Sequence, residues 1–154
     1  MHMTRSNQIR LFLGALLLSL TICSVKVQAQ IVDELEADIP FQFHAGNAKL
    51  PAGKYIIRAL DNTDLGAMEI STADGSAAAL LEVRPTQTKS SPVKSELIFN
   101  KYGDRYFLEK LFDEGSSEGS ELVESRNEKS VTQLADGQEH VSVHTRKHQR
   151  AQNN

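Results

Sequence analysis

The chain has 154 residues, a formal net charge of -3, and 40% hydrophobic with 24% charged residues. That balance belongs to one ordinary globular domain and excludes a disordered polymer, a coiled coil or a multi-domain enzyme. One Cys excludes a disulfide framework or a Cys-based zinc site within a single chain, and the near-neutral charge argues against nucleic acid as a partner.

Residues 1–29 read as a secretory signal peptide. Arg5 and Arg10 form a positive start, Leu11 to Cys23 is apolar, and Val27-Gln28-Ala29 is a small-residue cleavage signal, so the cut is expected after Ala29. The apolar run stops at Val25, is interrupted by Ser19 and Thr21, and falls short of the roughly 20 residues a spanning helix needs. Leu20-Thr21-Ile22-Cys23 is similar to a bacterial lipoprotein signal, but bulky Ile22 stands where a small residue is required. The expectation is an exported chain, periplasmic or extracellular, with no cysteine and no transmembrane segment once mature. Cleavage removes three bases and no acid, leaving 14 bases against 20 acids, a charge near -6 that favours solubility. The remaining ~125 residues are enough to bury about two-thirds of their unfolded surface.

After an N-terminal linker over 30–36, a β domain with a terminal helix is expected over 37–136. Asp38 to His44 alternates as a strand, with Ile39, Phe41 and Phe43 on one face and Asp38, Gln42 and His44 on the other; Pro40 marks an edge or a strand start. Ala45-Gly46-Asn47 and Leu50 to Lys54 are turns, and a second strand follows with Tyr55 and Ile57 inward. Asp61 to Asp64 is a turn cluster. Met68 and Ile70 open a third strand, and Asp74-Gly75 turns it into Ser76 to Val83. Arg84 to Lys94 reads as an exposed loop. Leu97 and Phe99 mark a strand that turns at Tyr102-Gly103-Asp104 and returns as Arg105 to Phe112. Asp113 to Gly119 is a flexible acidic loop, and Glu121 to Val123 adds a short strand.

Ser125 to Glu128 forms a capping box, from which a helix carries Val131, Leu134 and Ala135 on one face until Gly137 stops it. A helix of about three turns is marginal alone, so that face is expected to dock on the sheet. Residues 137–154 read as a basic, disordered tail. The expected architecture is all-β: an antiparallel β-sandwich or partly open barrel of about seven strands, in meander order, with one short C-terminal helix. Its core is expected from Ile39, Phe41, Phe43, Tyr55, Ile57, Met68, Ile70, Leu81, Val83, Leu97, Phe99 and Leu108.

Three stretches together resemble a known group: Ile39 to Gly46, Leu50 to Tyr55, and Lys94 to Leu108. They are similar to a family of small exported proteins of unknown function common in acidobacterial soil bacteria. The resemblance covers roughly Ala37 to Ala135, with Lys94 to Leu108 its most specific part. It implies export, and it carries no established activity or site residues.

Gly115-Ser-Ser-Glu-Gly119 matches G-x-S-x-G, but an elbow for Ser117 needs a strand–turn–helix in a large α/β sheet, which this domain is too small to hold. His140, His144 and His148 would share a helix face as metal ligands; Arg146, Lys147 and Arg150 beside them would repel a cation. The acids Asp33, Glu34, Glu36 and Asp38, and Asp113, Glu114, Glu118 and Glu121, fit no calcium-loop pattern and read as a solvated rim. No metal, cofactor or catalytic set is expected. Tyr102, with Lys101, Asp104 and Arg105 beside it, is the candidate binding surface, Tyr102 as an exposed aromatic in a turn. The expected function is therefore an exported, non-catalytic β-module that binds an unidentified protein or cell-envelope component or acts structurally. The alternative is a small hydrolase using carboxylates of the 113–121 loop.

Overall fold

A computed structural model describes residues 34–60, 66–135 and 137–147. The expected signal segment, the expected Asp61 to Asp64 turn and His148 lie outside the described residues. Among the described residues ten strands form: β1 Leu35–Ile39, β2 Phe43–Ala45, β3 Ala48–Leu50, β4 Gly53–Ala59, β5 Ala67–Thr72, β6 Ala78–Gln87, β7 Glu96–Tyr102, β8 Arg105–Phe112, β9 Glu118–Leu122 and β10 Glu139–Lys147. The helix among the described residues, α1, spans Arg126–Thr132. Eight strands close an antiparallel barrel in the order β8-β7-β10-β1-β4-β5-β6-β9, with β9 pairing back to β8. The architecture is a barrel, not a sandwich.

The chain order departs from a meander in its second half: β6 is flanked by β9 instead of β7, and β9 is followed by a crossing to the far side of β7. β10 lies between β7 and β1, pairing Val143 with Leu97 on one side and Ala37 with Thr145 on the other. Residues expected to be a disordered tail are thus a barrel stave. Val141 and Val143 point inward and pack on the core, while His140, Ser142, His144 and Arg146 alternate outward. Leu35 and Glu36, expected in a linker, already belong to β1 and pair with Lys147 and Arg146.

The hairpin β2–β3 stands outside the barrel circuit. It joins β8 through a short parallel pairing of Phe43 with Tyr106 and His44 with Phe107, on the same edge of β8 whose far end, Lys110 to Phe112, takes β9. Pro40 ends β1 instead of starting a longer strand, because it cannot donate to a ladder. The freed hairpin sends Phe43 into the barrel, where its ring meets Tyr55 edge-on at 5.3 Å and Phe99 at 5.5 Å. Tyr55 is fully buried and its hydroxyl donates to the Pro51 carbonyl at 2.7 Å. The interior is thus filled by aromatic and branched side chains. All twelve expected core residues join it, Phe41 and Val83 as partly buried flanks.

β6 runs to Gln87, so Arg84 to Gln87, expected in a loop, pair with β9. The acidic segment after Phe112 is tied down: the Gly115 N–H donates to the Pro92 carbonyl and the Thr88 N–H to the Ser117 carbonyl, both at 2.9 Å.

Candidate functional site

A bulge in β8 builds the outer face on which the site lies. Ile98 pairs with Lys110 and Phe99 with Leu108, so Glu109 is the extra residue. The slip lets both Leu108 and Leu111 face the core. Outward, next to it, stand Asn100 and Tyr102 of β7, Phe107 of β8 and His44 of β2, with His44 stacked on Phe107 at 4.8 Å.

Helix α1 sits over this face, and it is fastened by a carboxyl group, not by an apolar stripe. Ser125 caps it as expected, its Oγ accepting from the Glu128 N–H at 3.1 Å. The Glu128 side chain does not complete the capping box; its Oε1 accepts from Asn100 Nδ2 at 2.9 Å. Gln138 Nε2 donates to Asn100 Oδ1 at 2.6 Å, which orients the amide. Glu128 and Asn100 are each only 6% exposed. Burial pushes the Glu128 carboxyl above its ordinary range, against the Asn100 hydrogen bond, and the charges of Glu124 and Glu109 push the same way.

The apolar face expected to dock stays out of the barrel core, with Val131 and Ala135 half-buried and Leu134 exposed. α1 ends at Thr132, and Leu134 beyond it is 87% exposed. Val131 and Leu134 instead wall two adjoining grooves that also share Arg105. The first, 580 Å3, runs between the β7–β8 turn and the start of β10, with Lys101, Tyr102 and Glu139 on its far side. The second, 490 Å3, runs between α1 and the outer face of β2, β3 and β8, over His44, Lys49 and Phe107, with Asn127 and Ser130 on the helix side. Both are grooves open to solvent, not enclosed cavities.

The expected binding residues fall on this surface, with one correction. Tyr102 is buried at 6% exposure, its ring edge-on to Phe107 at 5.9 Å, because a residue at the strand end faces the patch under α1 and not solvent. Lys101 is paired with Glu139 at 2.8 Å. Asp104 and Arg105 are exposed and line the second groove. Sequence reasoning missed His44, Lys49, Val131 and Leu134 as site residues. The alternation of His44 and Lys49 around the 46–47 turn was a usable signal, whereas the pairing of β2 with β8 was not.

Comparison with protein-family models, curated proteins and solved structures finds no match.

The other candidates take ordinary places. His140 and His144 are outward residues four apart on a strand, hence about 13 Å from each other, too far to share an ion. Among the described residues no three His, Cys, Asp or Glu side chains gather as metal ligands. Ser117 is exposed in the loop before β9. Glu121 is ion-paired with Arg84 at 2.7 Å, and that guanidinium holds its carboxyl below the usual range. Ser95 Oγ donates to Asp113 Oδ1 at 3.2 Å, and Glu118 is exposed.

Proposed function

We propose that this chain is an exported, non-catalytic β-module that binds a partner or cell-envelope component through the face bearing α1. One observation carries the reading: α1 is fixed by Glu128, while half-buried Val131 of α1 and exposed Leu134 just beyond it wall open grooves and lie outside the barrel core. Apolar side chains lining a groove among convergent polar groups are the usual make-up of a ligand or partner site. Export is supported by the Arg5, Arg10, Leu11 to Cys23 and Val27 to Ala29 pattern, and by the resemblance to small exported proteins.

The test is affinity capture from envelope extract with the chain starting at Gln30, beside its Leu134→Asp variant. A defined component retained by the first and lost with the second supports the reading. Retention unaffected by Leu134→Asp overturns it. The same extract assayed for hydrolysis, with Glu118→Gln and Glu121→Gln as controls, addresses the hydrolase alternative; turnover lost in either folded variant would replace the binding reading.

A further inference from the structure

We infer that the groove between α1 and the β3–β2–β8 face takes a small amphipathic anion, a carboxylate or phosphate carried on a short aliphatic body. The inference rests on the binding reading above and gives it a ligand class.

Three cationic or basic side chains converge here from three adjacent strands. Lys49 of β3 is the direct cross-strand partner of His44 of β2, and His44 is in register with Phe107 of β8, two residues from Arg105. Side chains two apart on a strand share a face, so Lys49, His44, Phe107 and Arg105 form one outward patch. Neither Lys49 nor Arg105 has an ion pair among the described residues, unlike Arg58, Arg84, Lys101, Lys110 and Arg146. Unpaired cations gathered in a concave site, on a chain that is acidic as a whole, focus a positive potential that recruits anions. Arg105 supplies the planar fork that matches carboxylate or phosphate, and Lys49 a point charge.

The opposite wall fixes the rest of the ligand. Val131 of α1 and Leu134 just beyond it line the same groove, so a bound molecule meets charge from the strands and aliphatic surface from this segment. Asp104 also lines the groove and opposes an anion. His44 reports on the field: burial, then Lys49, then Arg105 depress its basicity, and its buried Nδ1 has no hydrogen-bond partner. An anion placed beside it would cancel the two charges and let the imidazole take up a proton. Affinity should therefore rise as pH falls through the imidazole range.

The experiment uses the chain starting at Gln30 and three probes: octanoate, octanol and inorganic phosphate, followed by calorimetry and by the His44 ring signals in NMR. Saturable octanoate binding is expected, with octanol and phosphate each weaker by about tenfold or more. Arg105→Gln and Leu134→Ser should each weaken octanoate about tenfold, Asp104→Asn should strengthen it, and octanoate should raise the midpoint of the His44 titration. No saturable octanoate binding, or binding indifferent to Arg105→Gln and Leu134→Ser in folded protein, overturns the ligand class. Vesicles of phosphatidylglycerol form the last arm: Arg105-dependent binding to them, with free octanoate silent, overturns the free acid in favour of a lipid headgroup. Leu134-dependent capture from extract that persists while octanoate fails leaves the binding reading standing and the ligand class refuted; failure of both removes both.

Discussion

Replacing Glu128 separates the two roles its carboxyl plays. In Glu128→Ala, Asn100 Nδ2 loses its acceptor at a position 6% exposed, and a buried donor left unpaired costs about 1–3 kcal/mol. For a domain of this size that lowers Tm by roughly 4 to 12 °C. Glu128→Gln keeps an oxygen for Asn100 and removes the charge that burial, Glu124 and Glu109 oppose. The sign of the pH effect follows from the raised folded-state value. Below the ordinary carboxylate value of 4.5 both folded and unfolded chains hold the proton, and the contribution is fully present. As pH rises the unfolded chain releases it first, so stability falls until the folded carboxyl also ionises. Thermal melts of wild type, Gln and Ala variants from about pH 4 to about pH 8 check this. The Gln variant should match wild type at the acid end and exceed it at the alkaline end, while Ala stays lowest throughout. A Gln variant as unstable as Ala at alkaline pH, or a Gln-to-wild-type difference that does not change with pH, would refute the argument.

Truncation after Gly137 removes β10 and with it one of the two neighbours of β1 and of β7, so the shortened chain should lose its cooperative thermal transition; a sharp melt near the wild-type temperature would contradict the barrel order. Gly119 faces Phe112 across β8–β9, and a Cβ there would lie 2.5 Å from the Leu111 carbonyl oxygen and closer still to the Phe112 ring. Gly119→Ala should therefore cost about 1–3 kcal/mol in denaturant unfolding. By contrast Glu121→Gln, which breaks an exposed pair with Arg84, should cost at most about 1 kcal/mol in the same assay. Intact mass of material secreted from the full-length chain should place the N-terminus at Gln30, and retention of Cys23 with added lipid mass would count against cleavage after Ala29.

Local pattern carried much of the barrel. Tyr55 with Ile57, Met68 with Ile70, and Leu97 with Phe99 alternate plainly, and Gly103, with φ of 63°, supplies the positive angle its hairpin turn needs. The Arg105 to Phe112 strand keeps its expected bounds, but the inward turn of both Leu108 and Leu111 needs the Glu109 bulge, which shows only in the pairing with β7. β10 was hidden by composition: Val141, Val143 and Thr145 alternate with His, Ser and Arg, a true period of two masked by polarity. The site was half legible. Lys101, Asp104 and Arg105 stood out beside a turn, yet Tyr102 is buried against Phe107 on the face where Glu128 of α1 bonds Asn100. An acid in a capping box predicts a local partner; that it would reach another element is a tertiary fact.

The pairing of the first stave with the last has a kinetic side. Arg146 reaches Glu36 across 110 positions, and β1 and β7 each gain their second neighbour only from β10. A chain emerging from a ribosome or a translocation pore in N-to-C order cannot shut the barrel until residue 147 is free. Until then two sheet edges stay bare, open to mispairing. Closing so long a loop also delays the final step, as non-local strand pairing does generally. The native state is thus reached only after delivery is complete. A circular permutant that joins the neighbouring ends of β1 and β10 would fold along a different route to the same barrel.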